Sequence, residues 1–77
     1  MNQALLFNDD LHFNKQHDAW SLTGQLSGQR VTIYFHSIQL KSLTKIDNCT
    51  KYDLEEVAEL WLEKNEPESN EIHIEMR

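Results

Sequence analysis

Imidazole is the side chain best able to bind a metal or move a proton near neutral pH, and this chain has four, His12, His17, His36 and His73. Their spacing matches no helical ligand pair of the HExxH kind, and the single cysteine, Cys49, cannot complete a zinc site with them. Surface or edge-strand positions are the expectation for all four. Cys49 would need a neighbouring histidine to act as a nucleophile, and no local pattern supplies one. Adjacent carboxylates on a helix do not face each other. Asp9-Asp10 therefore read as turn residues and Glu56 as part of a helix cap. Two glycines are too few for a phosphate-cradling loop. No catalytic residue, cofactor or metal is expected, and a small-molecule or metal-dependent enzyme ranks last among the functions considered.

The elements that position these residues must come from one small core, because 77 residues cannot build two. Apolar residues form 39% of the chain and charged residues 26%, the balance of a folded domain rather than a disordered one. The net charge of -6 is uneven: residues 1–52 hold five basic and four acidic side chains, residues 53–77 two and nine. Such a surface repels phosphate backbones and anionic headgroups, so neither nucleic acid nor membrane is an expected partner. The aromatic residues Phe7, Phe13, Trp20, Tyr34, Phe35, Tyr52 and Trp61 lack the basic groove that accompanies a base-stacking platform. One cysteine allows no internal disulfide, and Asn8-Asp9-Asp10 ends the first apolar run too early for a signal or membrane segment. A cytoplasmic location is the expectation.

The strongest local pattern runs from Trp20 to Phe35, two alternating stretches joined at Ser27-Gly28. A two-residue loop there sets Trp20 opposite Phe35, Leu22 opposite Ile33 and Gly24 opposite Val31 on an apolar face. Ser21 then meets Tyr34, Thr23 meets Thr32 and Gln25 meets Arg30 on a polar one. A slip of one residue would destroy this sorting. Gly24 marks a bulge or the close approach of another part of the fold, such as a helix. Tyr34, on the polar face, is the aromatic residue expected to be most exposed.

Ser37 can cap a short helix through Ile38, Leu40 and Leu43, and Thr44 to Lys51 reads as a loop. A long amphipathic helix is expected from Asp53, capped with Glu56, or from Thr50. It buries Leu54, Val57, Ala58 and Trp61. Leu60 and Leu62 widen its apolar arc, while Asp53, Glu55, Glu56, Glu59 and Glu63 form an acidic face. Pro67 stops the helix, and Ile72, Ile74 and Met76 alternate with polar residues in a final strand. The expected architecture is a single α+β domain over residues 1–77, in which a small antiparallel sheet (the hairpin plus the C-terminal strand) packs against the long helix. The pattern leaves residues 1–17 open, as a strand or a packed arm.

The opening Met1-Asn2-Gln3 with Phe7 and Asp9, the hairpin at Gly28, Ser37 with Leu40, and Asp53-Leu54-Glu55-Glu56 with Ala58-Glu59 resemble domain-of-unknown-function family 1488 in order and spacing, over nearly the whole chain. The chain departs from the family pattern at Asn8, where a proline is common, and in lacking a C-terminal tryptophan. The resemblance implies an α+β fold and a bacterial origin, and carries over no activity or site residues.

The leading functional expectation is a non-enzymatic interaction module, a homodimer or an adaptor for another protein. Its candidate contacts are Leu60, Leu62 and Tyr34, with the edge of the last strand as a second route. The alternative is an acidic regulator that covers a basic protein surface with Asp53, Glu55, Glu56, Glu59 and Glu63.

Overall fold

The computed structural model describes residues 5–76. Met1, Asn2 and Gln3, which contribute to the family resemblance, lie outside them, as does Arg77. The order is β1 (Leu5–Phe7), β2 (His12–Asn14), β3 (Ala19–Leu26), β4 (Gln29–His36), α1 (Ile38–Lys41), α2 (Asn48–Lys64) and β5 (Glu71–Glu75).

The β3–β4 hairpin has the register read from its alternation, from Trp20 opposite Phe35 to Gln25 opposite Arg30. Its loop requires two consecutive positive φ angles, 53° at Ser27 and 80° at Gly28, the geometry whose twist matches that of paired strands. Leu22, Ile33 and Phe35 are buried on the apolar face with Leu54 and Ala58 of α2 and Ile72 and Ile74 of β5. The α+β class follows directly from this packing.

The sheet is mixed rather than antiparallel, because β5 pairs parallel with β4, Ile33 against Ile72 and Phe35 against Ile74. The connection explains the direction. Seventeen residues of α2 span about 25 Å at 1.5 Å per residue, enough to carry the chain back along the sheet before β5 begins, as in any helical crossover between parallel strands.

Residues 5–14, whose conformation the sequence left open, form one interrupted edge. Leu5–Phe7 pair with Gly24–Leu26, and His12–Asn14 with Ala19–Ser21. The four residues Asn8 to Leu11 thus stand against two, Leu22 and Thr23, and the excess turns outward at Asp9, whose φ is 56°. Gly24 marks a close approach, by β1 and not by a helix: a Cβ there would lie 2.8 Å from the backbone oxygen of Leu6.

Helix α1 is capped by Ser37, whose hydroxyl accepts the Leu40 N–H at 3.3 Å. It is shorter than its apolar pattern: Leu40 is buried, whereas Ile38 and Leu43 are exposed. Helix α2 begins earlier than either expected start. Asp47 is the N-cap, its carboxylate accepting the Thr50 N–H at 2.8 Å, so Thr50 and Asp53 are interior. The Asp47-Asn48 pair that reads as a turn is also a helix-capping signal, and the cap prevails.

Gly24→Ala should lower stability by about 1–3 kcal/mol, because the atom it meets is backbone that cannot rotate away. Urea denaturation checks this, and an unchanged midpoint would contradict the packing of β1.

Candidate functional site

The polar face of the sheet holds the densest set of chemically able side chains. Strand pairing places His12, Ser21, Tyr34 and His73 in one row across β2, β3, β4 and β5. The turn between β2 and β3 adds His17, whose backbone N–H donates to the Asn14 side chain at 3.1 Å. Four rings then stand in series. His17 lies 4.2 Å from Tyr34 between centroids, Tyr34 stacks on His73 at 4.7 Å, and His73 stacks on His36 at 5.1 Å. Nε2 of His36 and Nδ1 of His73 are 2.8 Å apart, so one ring donates an N–H and the other accepts it.

This packing corrects the placement of Tyr34. The ring is 5% exposed, not the open contact its position on the polar face suggested. Burial, and then the charge of Glu71, push its phenol pKa up. Tyr52, at 61% exposure, is the aromatic residue left in solvent. Beside Tyr34 in the row, Ser21 is fully buried and its hydroxyl makes no hydrogen bond among the described residues.

Further along β3, the outward turn of Asn8 to Leu11 leaves the Thr23 N–H without a strand partner, and Asp10 supplies one. Its carboxylate accepts that N–H at 2.8 Å and the Thr23 hydroxyl at 2.5 Å, while the Asn8 amide donates to the same hydroxyl at 2.9 Å. Partial burial raises the Asp10 pKa, but the two hydrogen bonds from Thr23, with smaller help from its own backbone N–H and from His12, together leave the carboxyl below its ordinary value.

The outer border of this face is β5, the last strand in the order β1-β3-β4-β5. The Thr32 N–H donates to Asn70, and the Met76 N–H to His36. Alternate residues of a strand address opposite edges, so between these two bonds Ile72 and Ile74 also turn their backbone groups to β4. The N–H and C=O groups of Glu71, His73 and Glu75 consequently face outward. The Ser69 hydroxyl accepts the Glu71 N–H and donates to the Glu71 carbonyl, each at 3.2 Å, which leaves the groups of His73 and Glu75 open. The side chains of the three place two carboxylates on either side of an imidazole.

The remaining residues proposed from sequence do not converge. Leu60 is 49% exposed on α2, but Leu62 is half-buried against the core. Both lie on the helix side of the sheet, away from Tyr34. Asp53, Glu56, Glu59 and Glu63 are exposed along α2, while Glu55 is only half so. The clustering of His17, His36 and His73 around Tyr34 was not foreseen. Tyr34 and His36 alternate on β4, and the register of β5, with His73 opposite Tyr34, brings His73 beside them. Among the described residues no three His, Cys, Asp or Glu side chains are placed to hold a metal ion, and no helix is long and apolar enough to cross a membrane.

An α+β protein with a mixed sheet and one long covering helix is the class these features define. No protein-family model and no curated protein matches the chain. Among solved structures, a crystal structure of a protein of unknown function from domain-of-unknown-function family 1488 of Shewanella loihica PV-4 is similar to it. The TM-score is 0.67 at 27% identity, over 96% of this chain and 94% of that one. The resemblance to family 1488 read from the sequence is borne out by this structure.

Asp10→Ala should cost about 1–3 kcal/mol near neutral pH, because it strands the Thr23 N–H and hydroxyl. The ionic part of that contribution is complete above the unfolded aspartate pKa of about 3.9 and is lost as pH falls through the lower folded value. The gap between wild type and variant in urea midpoint should therefore narrow below about pH 4; a gap that widens there would contradict the assignment.

Proposed function

We propose that this protein is a non-enzymatic interaction module that takes an extended segment of another protein along the outer edge of β5. The open backbone groups at His73 and Glu75, beyond the Ser69 hydroxyl that occupies those of Glu71, carry this reading. An exposed edge offers main-chain hydrogen bonds to any added strand. The rings of Tyr34 and His36 against His73 support the strand from behind, so little order remains to be imposed on binding.

Charge selects the occupant. A second copy adding antiparallel about His73 would set Glu71 opposite Glu75 of its partner twice over, and like charges directly opposite destabilise a strand pair. An incoming strand with alternating basic residues meets the same two carboxylates favourably. The acidic residues of α2 then steer a basic partner towards the protein rather than forming its contact surface.

The reading is tested by fluorescence anisotropy with a labelled peptide of about eight residues, near the usual strand length, alternating lysine with valine. A control of the same sequence and charge with every backbone nitrogen methylated cannot donate to a ladder in either strand direction. The alternating peptide should bind and the control should not, and Glu71→Lys with Glu75→Lys should weaken binding by about tenfold or more. Equal binding of both peptides, or a larger loss from Glu59→Lys with Glu63→Lys, would move the contact to the acidic face of α2 and contradict the proposal.

A further inference from the structure

A cleft of about 550 Å³ lies where the Asp9–Phe13 segment faces the loop leading into α2, and it shares no residue with the β5 edge. Its volume falls within the range of about 300–1,000 Å³ common to small-molecule sites. Leu11, Phe13, Trp20 and Ile46 form its apolar wall. Leu11, Phe13 and Ile46 pack on the core yet remain partly open. Trp20 is fixed, its indole N–H donating to the Leu40 carbonyl at 2.8 Å and its ring meeting Phe13 edge to face at 5.8 Å. The Trp20–Phe13 side of the wall is therefore held in place.

Charge at the cleft is equally specific. Lys45 and Lys51 stand on its border with Asp9. Lys51 is paired with Asp9, and that hydrogen bond raises its ammonium pKa. Lys45 makes no ion pair among the described residues. Asp9 and Lys51 cancel, which leaves Lys45 as a cation beside an apolar wall in a protein whose net charge is -6. Such a combination of apolar body and single charged group fixes both the affinity and the orientation of a ligand.

We infer that this cleft binds a small aromatic carboxylate, its ring against Leu11, Phe13 and Ile46 and its anionic group at Lys45. The probe is 1-naphthoate, titrated into the isotope-labelled full chain and followed by NMR. Saturable shifts are expected at Phe13, Ile46, Asn48 and the Trp20 indole N–H. Lys45→Glu should weaken binding by about tenfold, and the neutral amide of the same ring should bind about tenfold more weakly to the wild type. Lys64→Glu makes the same change of net charge at the other end of α2 and should leave binding unaltered. Absent or unsaturable shifts at these residues overturn the site. Equal binding of acid and amide, or equal loss in both lysine variants, overturns the role of Lys45.

Discussion

The register of the β3–β4 hairpin is the constraint on which every other element depends. Ser27 and Gly28 turn the chain with two positive φ angles, and from that loop outward each residue of one strand has a single partner on the other. Leu22, Ile33 and Phe35 are thereby committed to the side that α2 covers, and Ser21, Thr23 and Tyr34 to the opposite side. Because side chains alternate, a slip by one residue would take the first set off the face that α2 covers and put the second set there. β1 and β2 then attach to β3, and β5 to β4.

The two borders of the hairpin differ in kind. Along β3, the chain from Leu5 to Asn14 is longer than the edge it covers, and the excess turns out at Asp9. Unpaired backbone groups inside a fold are costly, so Asp10 and Asn8 close the gap at Thr23. The same turn builds one wall of the Trp20 cleft. Along β4, the pairing with β5 is regular and parallel. It joins His73 to Tyr34 and His36 in a series of stacked rings, and it leaves the far side of β5 open.

The hairpin was legible in the sequence because a two-residue loop and strict alternation restrict each other, and only one register sorts both faces. The final strand was legible for the same reason, in Ile72, Ile74 and Met76. Its direction was not, since alternation is identical in parallel and antiparallel strands, and the length of α2 decides between them. That length was misjudged at the start, where Asp47-Asn48 suits a turn and a cap equally. The ring series was hidden because alternation puts Tyr34, His36 and His73 on polar faces without saying which strands are neighbours, and it is the pairing of Tyr34 with His73 that brings them together. Tyr34 itself lies on the polar side, as its position in the alternation requires. It is buried there by His17 from a turn that no periodicity describes. In the proposed function the contact moves from Leu60, Leu62 and Tyr34 to the backbone of β5.

The account rests on β5 being a regular strand with one side bonded and the other bare at His73 and Glu75. Backbone amide hydrogen exchange on the free protein tests this residue by residue, since protection follows bonding within the fold. The amides of Ile72, Ile74 and Met76 should exchange slowly, and those of His73 and Glu75 should exchange fast, in a two-residue alternation. Slow exchange at His73 and Glu75 would mean that the outer edge is already covered, and fast exchange at Ile72 and Ile74 that β5 is not docked on β4; either result would contradict the account.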